Sequence, residues 1–149
     1  MTYSFLVFLH LAGVIVWVGG MFFAYYCLRP AAAAELAPPQ RLSLWRRTFA
    51  RFLPYTAVAV IAIVFSGGTM LAQVGMRNAP TGWHVMLGLG LLMAVVFVYV
   101  YTYLYPKLCR ACDQSDWPQA ARALDRIRHM VAVNLGLSIL TVGSAVLWR

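Results

Sequence analysis

The stretch Thr2–Leu28, TYSFLVFLHLAGVIVWVGGMFFAYYCL, contains no Asp, Glu, Lys or Arg, and its one basic side chain is His10. A bilayer core of ~30 Å needs about 20 helical residues, and this run supplies them. Three further runs do the same: Phe52–Met76, Asn78–Pro106 and Met130–Trp148 are free of Asp, Glu, Lys and Arg. The chain is 62% hydrophobic and 11% charged, with a mean hydropathy of +0.74. That is too little charge to cover a soluble domain. Strands of a membrane barrel would read as ~10-residue alternating segments, which are absent. The sequence therefore predicts an all-α integral membrane four-helix bundle, a single transmembrane domain over residues 1–149. Its helices are expected at about Tyr3–Leu28, Leu53–Met76, Trp83–Tyr105 and Met130–Trp148.

Charge placement predicts the orientation. Arg29, Arg41, Arg46, Arg47 and Arg51 fall between the first two helices, and Lys107, Arg110, Arg122, Arg126 and Arg128 between the last two. Only Arg77 and Arg149 lie on the opposite side. Cytoplasmic loops carry the excess of Lys and Arg, so both termini are expected outside (N-out/C-out), with two hairpins joined by basic cytoplasmic loops. The net charge of +8 then faces anionic headgroups rather than nucleic acid, and the lipid bilayer is the primary partner. The N-terminus lacks the basic region and short apolar core of a cleavable signal. Within the first loop, Pro38-Pro39 is expected to break the chain, and Arg41–Arg51 to form a short interfacial helix. In the third loop, Trp117-Pro118 is expected to open a short helix through Arg128, with Asp116 near its N-cap.

A faint internal repeat runs through the chain. The first helix passes from His10 to Arg29-Pro30 and the third from His84 to Pro106-Lys107, each with tyrosines near its inner end. An ionisable residue inside a bilayer helix is a functional candidate by default. Gly13 and Gly88 share a helix face with His10 and His84 respectively. Histidine with adjacent backbone clearance suits a flat macrocycle, because imidazole is a common axial ligand of haem iron. The leading expectation is haem b between the helices, ligated by His10 and His84. Met70 is an alternative second ligand, Trp17 a candidate wall, and Arg77 or Arg149 a partner for the propionates.

The remaining metal-binding side chains look less organised. His129 starts the fourth helix on the basic side, about 30 Å from the outer end, and is not expected to share a metal with both other histidines. Cys109-Arg-Ala-Cys112 is a CxxC with Cys27 at the same membrane surface, but a structural zinc site wants four ligands. These cysteines are read as incidental. Thioethers suit Cu(I), yet the methionines are scattered, and Met86, two residues after His84, points away from it.

The segment from Leu9 to Phe23, LHLAGVIVWVGGMFF, followed by Leu28-Arg29-Pro30, resembles the first helix of the CopD superfamily of bacterial membrane proteins. More distantly, the histidine followed by tryptophan and glycine, and Gly82-Trp83-His84, are similar to HemJ-type protoporphyrinogen oxidases. The resemblance implies a haem-binding four-helix protein of the bacterial inner (plasma) membrane, with His10 and His84 at the family's histidines. Met86-Leu87 stands where HemJ proteins carry a lysine.

Three functions follow as expectations. The first is haem-based electron transfer or an oxidoreductase reaction with an unspecified redox partner. The second is copper uptake or resistance of CopD type, with copper in place of haem. The third is a structural or assembly subunit, in which a homodimer covers the exposed helix faces.

Overall fold

A computed structural model of the chain describes residues Thr2–Leu147. It consists of four long helices: α1 (Tyr3–Glu35), α2 (Pro38–Val74), α3 (Thr81–Asp113) and α4 (Trp117–Leu147). Among the described residues there is no strand. All four helices are long and apolar enough to cross a membrane, which bears out the multi-pass four-helix bundle. The expected end of the fourth helix at Trp148, and Arg149, lie outside the described residues.

The basic segments are not loops. Each continues a spanning helix, which corrects the expected boundaries. Ala31–Ala34, the best helix formers, carry α1 on to Glu35. Pro38 and Pro39 begin α2 rather than break the chain, because proline's missing N–H costs nothing in a first turn. Arg41–Arg51 is continuous with α2, and Trp117–Arg128 with α4. Only Leu36-Ala37 and Gln114–Asp116 remain between helices on this side. Asp116 does cap α4: its Oδ1 accepts the Gln119 N–H at 3.0 Å. The 37 residues of α2 span about 55 Å, well beyond a ~30 Å hydrocarbon core, so the bundle projects from its basic end.

α1 and α3 share an irregularity. Phe23–Leu28 and Val100–Leu104 are π-helical, and the Arg29 and Tyr105 N–H groups bond to the Ala24 and Val100 carbonyls. Pro30 and Pro106 follow at once. A proline ring crowds the carbonyl four residues back and offers it no N–H, and widening the preceding turn relieves the clash.

α1 packs on α2 and α3 on α4, forming two hairpins that run in the same direction. Gly13 and Gly20 let α1 approach α2: an added Cβ at Gly13 would stand 2.7 Å from Ile63 Cγ1 and 3.0 Å from the Ala59 carbonyl, and one at Gly20 would collide with the Phe52 ring. The hairpins meet through aromatic pairs. Trp17 lies edge-on to Phe97 (6.1 Å between centroids) and Phe49 to Tyr105 (6.4 Å). From there to the basic end the core is continuous, through Leu42, Trp45, Leu104, Leu108 and Ile127. Outward faces such as Phe8, Ile15, Tyr55 and Ile139 are exposed and apolar, as lipid requires.

The bundle leaves Gly75, at the end of α2, in a backbone region (φ 83°) open to glycine. It starts the short Gly75–Pro80 link that joins the two hairpins.

Candidate functional site

Away from the basic end, the four helices line an apolar cavity of about 270 Å³ that is partly open at the bundle surface. His10 and Trp17 line it from α1, Gly67 from α2, Met86 and Met93 from α3, and Thr141 from α4. His10 is half-buried, and its orientation is fixed by α2. Nδ1 lies 3.1 Å from the Ile63 carbonyl oxygen and 3.1 Å from the Ser66 hydroxyl. The single Ser66 proton is directed to the Ala62 carbonyl at 2.6 Å, so Ser66 accepts from His10. Nδ1 therefore carries the ring proton, and Nε2 keeps its lone pair with no hydrogen-bond partner among the described residues. A carbonyl behind one nitrogen and an open lone pair on the other is the usual setting of a metal-binding histidine. Gly67 makes room for the ring, since a Cβ there would stand 3.2 Å from His10 Cε1.

His84 is elsewhere. It is exposed at the first turn of α3, outside the cavity wall. Its Nε2 lies 3.0 Å from the Met76 carbonyl and its Nδ1 3.2 Å from the Pro80 carbonyl, so it staples the link between the hairpins. The structure does not bring His10 and His84 onto one cavity. Gly88 is exposed, Arg77 is exposed in the turn after α2, and Met70 is buried but not in the wall. Gly13 serves helix approach, while Trp17 does wall the cavity.

The prolines and π-helical segments supply the register that the sequence pattern lacked. Sliding α1 onto α3 so that Pro30 meets Pro106 superimposes the ends of both π segments. It sets His10 on Met86, Trp17 on Met93 and Met21 on Phe97. His84 falls on Phe8, an outward-facing residue. Sliding α2 onto α4 so that Thr56 meets Asn134 pairs buried Trp45 with Ala123, Phe49 with Ile127 and Ser66 with Ser144. Thr56 Oγ1 and Asn134 Oδ1, at matching positions, are the two buried side-chain atoms without a partner among the described residues. On the proline register, Met86 rather than His84 stands at the position of His10.

The sequence points to His84 or Met70 as the companion of His10, and neither lines the cavity, whereas Met86 does. Met86 is on the far side of α3 from His84 but on the same cavity as His10. Met93 is buried beside Thr141, whose hydroxyl lies 3.7 Å from the Met93 sulfur.

A family model described as Copper resistance protein D (CopD) matches residues 46–148, more than half of the chain. The chain belongs to the CopD family. The match covers α3 and α4 and most of α2 but not α1, so His10 enters through the geometry of the cavity. No match was found among curated proteins or among solved structures. CopD membership and the four spans make this a multi-pass membrane protein related to copper resistance. The HemJ likeness rests on the sequence resemblance alone.

The cavity of this CopD chain does not suit haem and copper equally. Haem b fits poorly: the space is at or below the ~300–1,000 Å³ of pockets for drug-sized ligands, and the wall offers one nitrogen. Among the described residues no three His, Cys, Asp or Glu side chains gather to hold a metal tightly. One imidazole with thioethers is a soft, sparse donor set, suited to Cu(I) that must also leave.

Proposed function

We propose that the chain handles copper in the membrane, and that its inter-hairpin cavity takes Cu(I) as cargo between His10 Nε2 and the Met86 thioether. The observation that carries this reading is the His10 ring, anchored through Nδ1 with Nε2 left open on a cavity that Met86 also lines. Both residues stand at one register position of the repeat, hence at one depth. Trp17 and Met93 sit one step nearer the basic end and exclude water from below. A dry, apolar wall favours a soft monovalent ion over hydrated divalent ones.

The test is copper accumulation in cells expressing the chain, with Cu(I) binding by the purified protein. His10→Ala and Met86→Leu should each abolish the change in accumulation and lower Cu(I) affinity by about tenfold or more. Parent-like accumulation in both variants would remove the proposal.

A second reading keeps haem b, on the strength of the open Nε2 beside an apolar wall that includes Trp17. His10 would then hold the iron, with the helices further apart. It requires a Soret band in protein made with ample haem, lost in His10→Ala; a colourless protein disposes of it.

The orientation belongs to the same proposal. The basic helix extensions face the cytoplasm and the cavity lies in the outer leaflet, supported by ten basic residues at one end of the bundle. On this reading the protein sits in the bacterial inner membrane.

A further inference from the structure

The CxxC on α3 acquires a setting that its spacing alone does not convey. Cys109 and Cys112 lie on the projecting part of α3 beyond Pro106. Three residues apart on a helix, their Cβ atoms are neighbours at about 5–6 Å. Both are half-buried, whereas Cys27 is exposed. Arg46 reaches across from α2 to Asp113 at 2.7 Å. Asp113 directly follows Cys112 on α3, and Arg46 and Cys109 line one pocket, so the guanidinium is held at the cysteine pair. Tyr105, whose hydroxyl donates to the Arg46 carbonyl at 3.5 Å, lines the same pocket as Cys109. A pocket of about 450 Å³ lined by Ser43, Arg46, Arg47, Tyr105 and Cys109 opens directly onto this sulfur.

We infer that Cys109 and Cys112 form a second Cu(I) site, a bis-thiolate with Arg46 as its countercharge, at which the ion held by His10 and Met86 enters or leaves the basic end. The inference rests on the copper reading of the cavity. Zinc would demand four ligands, and no third His, Cys, Asp or Glu joins the pair among the described residues. Two soft sulfurs suffice for Cu(I). On binding, each thiol releases one proton to solvent and two Cu–S bonds form. Copper remains Cu(I) and neither sulfur changes oxidation state, so no oxidant is involved. The complex carries one negative charge, which the adjacent Arg46 guanidinium offsets where a bare thiolate pair would repel. The pocket gives a copper donor or acceptor access to Cys109 from the water side. A reducing cytoplasm keeps both the thiols and the ion in the required state.

The experiment uses the full chain in detergent, without oxygen, with Cu(I) supplied as its bicinchoninate complex. N-ethylmaleimide labelling of each cysteine is followed by mass spectrometry, with Cys27 as the internal reference. Copper should slow labelling of Cys109 and Cys112 by about tenfold, because a ligated thiolate is no longer a nucleophile, and leave Cys27 unchanged. The same protection is expected in His10→Ala, which separates this site from the cavity. The Cys109→Ser/Cys112→Ser variant should bind one Cu(I) fewer than the parent. Equal labelling with and without copper, or equal protection of all three cysteines, would overturn the site. Failure of His10→Ala to lower copper binding would instead count against the cavity and leave the thiolate site standing.

Discussion

His10 Nδ1 and the Ser66 hydroxyl oxygen are 3.1 Å apart, and the hydroxyl proton is already committed to Ala62. α2 therefore decides which nitrogen of a histidine on α1 is left for a ligand. Ser66→Ala removes one of two acceptors behind the ring and leaves the Ile63 carbonyl. Cu(I) affinity should fall by about tenfold, the usual cost of losing a partner behind a metal-binding histidine, with the fold retained. A competition titration against a Cu(I) chelator measures it.

Met86 and His84 are two residues apart on α3 but have different roles. Met86→Leu keeps the volume and removes the thioether, so copper binding should drop while stability barely changes. His84→Gln should do the reverse. Copper handling stays at the parent level, and the melting temperature falls by an amount corresponding to about 1 kcal/mol for a weakened staple to Met76 and Pro80. If His84→Gln matched His10→Ala in copper binding, His84 would have to be returned to the site.

Gly13 tests the contact between α1 and α2. A Val side chain would press on Ile63 and on the Ala59 carbonyl, and the carbonyl cannot yield. Gly13→Val should cost about 1–3 kcal/mol in detergent unfolding and tilt His10 away from Ser66. Gly19→Ala, where nothing lies within 4 Å, is the neutral control.

Thr56 is buried at 1% exposure, and its hydroxyl has no partner among the described residues. Thr56→Val removes the stranded oxygen at nearly constant shape. A purely structural Thr56 predicts a neutral change or a gain of about 1 kcal/mol in thermal unfolding. A marked loss of stability would show that the hydroxyl is satisfied by a bound molecule.

Reporter fusions check the orientation. A reporter that works only in the cytoplasm should be active when inserted at Ser115 and inactive at the C-terminus. The opposite pattern would reverse the charge argument and place the Cys109–Cys112 end outside.

The spans were legible because lipid leaves a helix no alternative to a long apolar run, and α1 shows it in a single stretch. The cap at Asp116 was legible for a local reason, one oxygen and one N–H. The helical extensions were not, because arginines look alike on a projecting helix and on a loop, and only the alanines before Glu35 hinted at continuity. His10 was recognised from its cost in lipid. Met86 was not: every face of α3 is apolar, so hydrophobicity does not mark the inward side, and two residues of register separate a cavity-lining thioether from a surface histidine. Pro30 and Pro106 held that register in plain view, but their meaning depends on the π-helical turns before them.

Those turns put the same irregularity, a widened turn before a proline, into each hairpin. Two separate, identical hairpins meeting about an axis would be compelled to present the same side chain twice. Joining them through Gly75–Pro80 lifts that compulsion. One half now presents an imidazole, which a proton can displace from a metal, and the other a thioether, which no physiological acidity touches. On the copper reading the site would be two-handed: protons would release one grip while the other holds, and each can be altered by substitution without changing its twin.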